Sequence, residues 1–193
     1  MWDLEALLAT LLLAAAGLEI IRLRLLLGKE QELANRDSLT GLLNRRGFAN
    51  RYRRASQRMS VVVHCVDVDG LKAVNDSHGH AAGDAVILET ALKIERFASE
   101  RGGAAARLGG DEFVVLLSEA DTAAATATAA ALLALLGGSE AASLSVSYSI
   151  GSAVVRPNTL LEEALCLSDR AMYEAKQAGG GRFILANNAA TNG

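Results

Sequence analysis

The sequence predicts an α/β sandwich with a central sheet and the element order β-α-α-β-β-α-β-α-β, preceded by a long N-terminal helix. From Arg36 onward, segments with helical periodicity alternate with short β-branched segments. Two of the short segments flank Gly109-Gly110, which is the pattern of a β-hairpin. The residues before Arg36 form one long apolar stretch. We therefore expect an N-terminal helix at residues 1–35, a folded domain at residues 36–186 and a flexible polar tail at residues 187–193.

The N-terminal helix has two interpretations. Leu4–Ile21 approaches the roughly 20 apolar residues of a membrane span only if Glu5 and Glu19 are included. The basic residues that follow it would suit a cytoplasmic C-terminal side. In the other interpretation, apolar residues recur at heptad spacing, as in a coiled coil: Leu11, Leu18 and Leu25, together with Leu7, Ala14 and Ile21. The segment is predicted to be either a membrane anchor or a dimerisation stalk.

The first half of the domain is predicted to contain a polar helix, a buried strand and two further helices. Arg45–Arg58 is polar and compatible with a helix. Ser60–Val68 is short and β-branched, as expected of a buried strand. A short helix is predicted from Leu71 to about Gly79, and Gly83–Glu100 shows the apolar periodicity of a longer one.

The second half is predicted to contain the hairpin, two helices and two more strands. The strands are predicted from short apolar or alternating runs at Ala104–Leu108, Glu112–Leu117, Ser143–Val155 and Arg182–Leu185. The helices are predicted from segments that end at glycines, namely Thr122–Leu136 and Leu160–Ala178.

The composition excludes several classes of protein. Hydrophobic residues make up 51% of the 193 residues and charged residues 21%, so the chain can bury a core and is not a disordered tail. A net charge of -3 argues against a surface that coats nucleic acid. The two cysteines, Cys65 and Cys166, provide neither a disulfide framework nor a zinc motif. The glycine patterns of P-loops and dinucleotide folds do not occur.

Two acidic motifs could bind a metal ion. Asp67 and Asp69 lie at the end of the first strand, where alternate residues point the same way if the strand continues. Two such carboxylates repel each other unless a cation lies between them. Their hard oxygen atoms favour Mg²⁺. Asp111 and Glu112 follow the hairpin glycines. Taken singly, each motif is explained as well by solvated acids at a strand end or in a turn.

Other side chains could bind a nucleotide. Asn75 and Asp84 carry the donors and acceptors that pair with the guanine edge, although an Asp in a first helical turn also stabilises the helix dipole. A set of cations could bind phosphate groups: Lys72, Lys176 and Arg182.

Together and in this order, the motifs closely resemble the GGDEF family of diguanylate cyclases. The segments that carry the resemblance are Asp37–Arg46, Asp67–Asp76, His78–Asp84, Arg107–Phe113, Ser149–Gly151 and Asp169–Lys176. The resemblance extends from about Asp37 to Leu185. It implies a fold similar to the polymerase palm and the class III nucleotidyl cyclases. It also implies an enzyme that condenses two GTP into cyclic di-GMP and two pyrophosphates.

The resemblance also implies a role for each candidate residue. Asp67, Asp111 and the backbone carbonyl of Val68 look like ligands of Mg²⁺, with Mn²⁺ as an alternative ion. Asp111 or Glu112 would accept the proton of the attacking hydroxyl group. The substrate-binding residues would be Gly109 and Gly110 in the turn, Asn75 and Asp84 at the guanine, and Lys72, Lys176 and Arg182 at the phosphates.

Each such domain binds one GTP, so catalysis requires two copies face to face, and a homodimer is expected. The catalytic domain is expected in the cytoplasm, either on a soluble stalk or tethered to the inner membrane by residues 4–21. No nucleic-acid partner is expected.

Three positions depart from the family pattern. The R-x-x-D of the family's inhibitory product site falls on Glu100 and Gly103, so feedback inhibition at that site is not expected. The family ends its last helix with K-x-x-G-[RK]-N, whereas glycines separate Lys176 from Arg182 here, which puts the phosphate contact of Arg182 in doubt. Leu71 stands where the family usually has an aromatic residue.

Two alternatives to an active enzyme are a non-catalytic module that binds GTP or cyclic di-GMP, and a dimerisation module whose only output is contact. Loss of an acid at Asp67, Asp111 or Glu112 would have favoured the non-catalytic module, and all three acids are present.

Overall fold

The computed structural model describes residues 3–118, 121–137, 140–141 and 144–187. The chain divides into two compact units, Met1–Arg36 and Asp37–Gly193. The tail predicted at residues 187–193 lies, after Asn187, outside the described residues.

The first unit is one long helix, α1 (Leu4–Ala34). Among the side chains that the structure describes, many large apolar ones are exposed, with Leu12 at 71%, Leu13 at 75% and Leu18 at 70%. A helix that is apolar on several sides is normally covered by a partner surface. By length and hydropathy, no helix in the described part of the chain is suited to cross a membrane.

The second unit contains five helices and seven strands within the described residues. The helices are α2 (Arg45–Ser56), α3 (Leu71–His78), α4 (His80–Glu100), α5 (Thr122–Gly137) and α6 (Leu161–Gln177). The strands are β1 (Val61–Asp69), β2 (Ala104–Gly109), β3 (Glu112–Leu117), β4 (Glu140–Ala141), β5 (Leu144–Ser145), β6 (Ser147–Val155) and β7 (Arg182–Leu185).

The predicted α/β fold and its element order are confirmed, with one addition. The two-residue strands β4 and β5 pair with each other between α5 and β6. The single strand predicted at Ser143–Val155 is therefore wrong in its first part. Leu144–Ser145 belongs to this small hairpin, and the main-sheet strand begins at Ser147. Ser143 itself is outside the described residues.

The main sheet has five strands in the order β2-β3-β1-β6-β7. Adjacent strands of this sheet are antiparallel, except for β6 and β7, which are parallel. The register places Asp67 opposite both Glu112 of β3 and Ser149 of β6. The end of the central strand thus lies beside the β2–β3 turn and the start of β6, and the predicted metal-site residues are at this end.

Helices cover both faces of the sheet, and β1 contributes alternate residues to each face. Val62, Val66 and Val68 pack in a core that includes side chains of α4 and α5. Val61, Val63 and Cys65 pack in a second core with side chains of α2 and α6. Because strand residues alternate, Asp67 and Asp69 continue the second set and face the α6 side.

The buried polar groups of the core are satisfied by hydrogen bonds. His64 Nδ1 lies 2.7 Å from Ser152 Oγ, and His64 Nε2 lies 3.2 Å from Thr128 Oγ1 of α5. Burial lowers the pKa of His64 to about 3, so the imidazole is neutral at pH 7 and links the sheet to α5. This histidine is therefore part of the core, away from the site.

Candidate active site

The end of β1 and the β2–β3 turn bring the predicted metal-site groups together. Asp67 is paired in register with Glu112, and the backbone N–H of Val68 donates to the carbonyl oxygen of Asp111 at 3.4 Å. The N–H and C=O of one strand residue project toward the same edge. The carbonyl of Val68 therefore also faces the turn that carries Asp111.

The turn itself is held by an arginine to which the sequence analysis assigned no role. Gly110 has φ 52°, a left-handed conformation that favours glycine. Arg107 donates from Nε and Nη2 to the carbonyl oxygen of Gly110 at 2.9 Å and 2.7 Å. Its Nη1 forms an ion pair with Asp37 Oδ1 at 3.1 Å. Arg107 thereby fixes the turn that presents Asp111 and Glu112.

Asp37 anchors this arginine. Its Oδ1 also accepts hydrogen bonds from the backbone N–H and the hydroxyl of Thr40, at 2.9 Å and 2.7 Å. Partial burial acts to raise the pKa of Asp37, but the Thr40 hydrogen bonds and Arg107 outweigh it and lower the pKa below its usual value. Both residues lie in motifs that carried the resemblance. The signal that could have identified them is their opposite charge together with their positions, since Asp37 shortly precedes Gly41 and Arg107 shortly precedes Gly109-Gly110.

Lys176, near the end of α6, contacts the acid at the end of β1. Its Nζ lies 2.8 Å from Asp67 Oδ2, and the Asp67 side chain is only 5% exposed. Burial raises the pKa of Asp67 to about 6, the Lys176 hydrogen bond opposes that rise, and the charge of Asp111 adds to it. The ammonium group of Lys176 therefore neutralises only part of the combined negative charge of Asp67 and Asp111.

The donor set at this point fits a divalent cation. Within the described ranges, no group of three or more His, Cys, Asp or Glu side chains is arranged to hold a metal ion. A metal held at the end of β1 would use the carboxylates of Asp67 and Asp111 with the main-chain carbonyl of Val68. All three are hard oxygen ligands, and the two acids repel each other without a cation between them. The residues present fit Mg²⁺ or Mn²⁺.

The predicted guanine-binding residues lie on α3 and α4, which pack against each other. The side-chain amide of Asn75 lies directly over Gly83, so closely that a Cβ at Gly83 would overlap Asn75 Oδ1. Asp84, which is exposed, is the next residue of α4. No side-chain hydrogen bond joins Asn75 to another residue of the described chain, and the amide is positioned by packing against the glycine.

Two predicted phosphate-binding residues are not joined to the acids. Lys72 is exposed near the start of α3, and Arg182 donates from Nε to the carbonyl oxygen of Gly180 at 3.1 Å. Among the described contacts, neither forms a hydrogen bond or an ion pair with Asp67 or Asp111. A cavity of about 350 Å³ lies elsewhere, between α2 and the β6–α6 loop, and none of the predicted site residues lines it.

Comparison with known proteins agrees with the motifs and the geometry. The family model described as "Diguanylate cyclase, GGDEF domain" matches residues 34–182. An uncharacterized signaling protein of Caulobacter vibrioides is 38% identical in an alignment of 166 residues that covers 80% of this chain and 20% of that protein. Diguanylate cyclase TpbB of Pseudomonas aeruginosa is 39% identical in an alignment of 167 residues that covers 78% of this chain and 37% of that protein.

A solved structure is similar along almost the whole chain. It contains the coiled coil and GGDEF domain of DgcB from Caulobacter crescentus in complex with c-di-GMP. The TM-score is 0.75 at 28% identity, and the alignment covers 92% of this chain and 99% of that one. In contrast, this chain spans only a fifth to somewhat more than a third of the two relatives above.

Proposed function

Because the chain belongs to the GGDEF family of diguanylate cyclases, we propose that it condenses two GTP into cyclic di-GMP and two pyrophosphates. The 3′-hydroxyl of each GTP attacks the α-phosphorus of the other. The bond between that phosphorus and the oxygen that bridges it to the β-phosphate breaks, and pyrophosphate leaves. The observation that carries this proposal is the convergence of Asp67, Val68 and Asp111 at the end of β1, with Lys176 beside them. With a divalent cation held by the acids and Lys176 beside them, such a cluster would bind the negative charge of a triphosphate.

The acids of this cluster are proposed to bind the metal ion and to accept the proton of the attacking hydroxyl group. Asp67, Asp111 and the carbonyl of Val68 would hold Mg²⁺, or Mn²⁺ as the alternative. The bound ion supplies neutralisation of phosphate charge and a lower pKa for the attacking hydroxyl group. Asp111 or Glu112 takes up the proton that this hydroxyl group releases.

The remaining binding residues are assigned to the phosphates and the nucleotide. Lys176 and Lys72 bind the phosphate oxygens, while the Gly109-Gly110 turn lets the backbone approach the nucleotide. Arg182 was expected among the phosphate ligands. Its Nε donates to the carbonyl oxygen of Gly180, which leaves the two Nη groups of the guanidinium for a phosphate oxygen.

The proposal is tested by incubating the purified chain with GTP and Mg²⁺ and detecting cyclic di-GMP by mass spectrometry. We expect product with GTP and none when the metal is chelated. A chain that binds GTP tightly in the presence of Mg²⁺ but forms no product would instead be the non-catalytic binding module.

Guanine recognition is expected to depend on Gly83 as well as on Asn75 and Asp84. In a Gly83→Ala variant, the added methyl group displaces the Asn75 amide. We expect the preference for GTP over ATP to fall about tenfold, which corresponds to ~1.4 kcal/mol, and Asp84→Ala to act in the same direction. The measurement is competition between the two nucleotides for binding. Gly17→Ala is the matched control, because nothing lies within 4 Å of a Cβ there, and an unchanged preference in Gly83→Ala would contradict this role.

Product inhibition at the family's inhibitory site is not expected. Glu100 replaces the arginine of R-x-x-D and is paired with Arg96 at 2.8 Å. At Gly103, a Cβ would overlap the carbonyl oxygen of Leu116 and the side chain of Leu117, so an aspartate could not enter without moving the backbone. We expect added cyclic di-GMP to leave the rate at saturating GTP unchanged. Inhibition that excess GTP does not relieve would contradict this prediction.

We further propose that the active species is a homodimer held by α1. The exposed leucines of α1 provide apolar area for a second copy. The C. crescentus structure that aligns with 92% of this chain contains a coiled coil as well as the GGDEF domain. Pairing of two stalks brings two one-GTP sites into the same assembly, as the two-substrate reaction requires.

A further inference from the structure

Asp69, the second acid of the D-x-D motif, has contacts that differ from those of Asp67. Its Oδ1 accepts a hydrogen bond from Ser149 Oγ at 2.7 Å. Its Oδ2 accepts one from Ser147 Oγ at 2.7 Å and one from the backbone N–H of Gly181 at 3.0 Å. Both carboxylate oxygens are thus engaged by donors from β6 and from the α6–β7 turn.

The α6–β7 turn rests directly on this carboxylate. Gly179, Gly180 and Gly181 all have left-handed φ values of 105°, 69° and 60°. A Cβ at Gly180 would lie 2.7 Å from Asp69 Oδ2. Glycine is therefore required there for two reasons, the backbone conformation and the space taken by Asp69.

The same turn is tied at its other end to the helix that carries Lys176. The backbone N–H of Gly179 donates to the carbonyl of Lys176 and that of Gly180 to the carbonyl of Ala175, both at 3.0 Å. The turn therefore connects the Asp69 carboxylate rigidly to the last turn of α6, from which Lys176 reaches Asp67.

We propose that Asp69 is a positioning residue that sets the place of Lys176 at the triphosphate and is not a metal ligand. Its carboxylate holds the glycine turn against the start of β6, and the turn holds the end of α6. Lys176 thus stays within reach of both Asp67 and the substrate phosphates. This inference rests on the proposed function, because it assigns Lys176 to the phosphate groups of a bound nucleotide.

The test measures KM for GTP and kcat in the full chain, together with GTP binding without turnover. We expect Asp69→Ala to raise KM and the dissociation constant about tenfold while kcat changes less than threefold. The Ser147→Ala/Ser149→Ala double variant keeps the carboxylate but removes two of its donors, and it should shift KM in the same direction by a smaller factor. Glu95→Ala, which removes an exposed carboxylate from α4, is the charge-matched control.

The decisive measurement is a double-mutant cycle with Lys176→Ala. If Asp69 acts through Lys176, Asp69→Ala adds little to the binding defect of Lys176→Ala. Two full, additive effects would overturn the proposal, as would an Mg²⁺ requirement that shifts with Asp69→Ala but not with the serine variants. A thermal melt identifies variants that fail to fold, and for those Asp69→Asn replaces Asp69→Ala. If wild type binds GTP but forms no product, the proposed function fails, whereas the cycle on binding still decides the role of Asp69.

Discussion

Replacing Asp111 with alanine is expected to abolish the formation of cyclic di-GMP in a chain that still folds. The side chain sits in the β2–β3 turn outside the two cores, so its removal creates no cavity. It does remove one of the two carboxylates proposed to hold the metal. We expect the initial rate with GTP and Mg²⁺ to fall at least about a thousandfold, equivalent to ~4 kcal/mol of transition-state stabilisation. The rate is measured by separating and quantifying the product.

The control for this variant is again Glu95→Ala, which removes an acid from the exposed side of α4 and should keep the wild-type rate. The variants Asp111→Asn and Glu112→Gln then address the proton acceptor. Replacing the acceptor should remove its own contribution to the acidic limb of the pH–rate profile and leave that of Asp67, whose pKa is raised to about 6. An Asp111→Ala enzyme with more than a tenth of the wild-type rate would refute the assignment of Asp111 to the metal.

Placing charges among the heptad leucines of α1 is expected to have the second large effect, on dimer formation and on the rate. Leu11 and Leu18 are one heptad apart and are 57% and 70% exposed in the single chain. In the Leu11→Glu/Leu18→Glu variant, each glutamate would carry a charge into the dimer seam, where each leucine contributes roughly 1.5–3 kcal/mol. We expect the molar mass in solution to halve. The rate per chain should fall at least about tenfold at low protein concentration and recover as the concentration rises.

The matched control places the same charges away from the heptad leucines. Leu13 and Leu23 are 75% and 51% exposed but lie off the heptad line through Leu11 and Leu18. The Leu13→Glu/Leu23→Glu variant should remain dimeric and active. If both pairs have equal effects, the apolar surface of α1 is used in a way other than a two-stranded seam. Fractionation of the full chain with and without membranes would then test the anchor interpretation.

Much of the fold could be predicted from local patterns. The β-branched run that became β1 and the glycine pair between β2 and β3 are short-range signals, because period and turn chemistry depend on neighbouring residues. The strand predicted to begin at Ser143 was wrong at its start for a related reason. Alternation of apolar and polar residues runs from Leu144–Ser145 into β6 without a break, so the pattern carries no sign that Leu144–Ser145 pairs away from the main sheet.

The metal-binding and nucleotide-binding roles were inferred from the order of the motifs along the chain, and they stay predictions. Motif order placed Asp67, Asp111 and Lys176 in one site, and the structure has all three within one cluster of charges. It did not assign a role to Arg107 or to Gly83, because the importance of each lies in a contact with a residue elsewhere in the chain.

By itself, the sequence determined the family, the order of the main elements and the fact that both aspartates lie on the same face of β1. Only the tertiary structure decided that these two acids have different partners, with Asp67 facing Lys176 and Asp69 accepting hydrogen bonds from two serines and a glycine turn. The physical reason is that alternation along a strand specifies only the direction of a side chain. The donors that meet it come from β6 and the α6–β7 turn, and only sheet register and helix packing bring those distant segments to the end of β1.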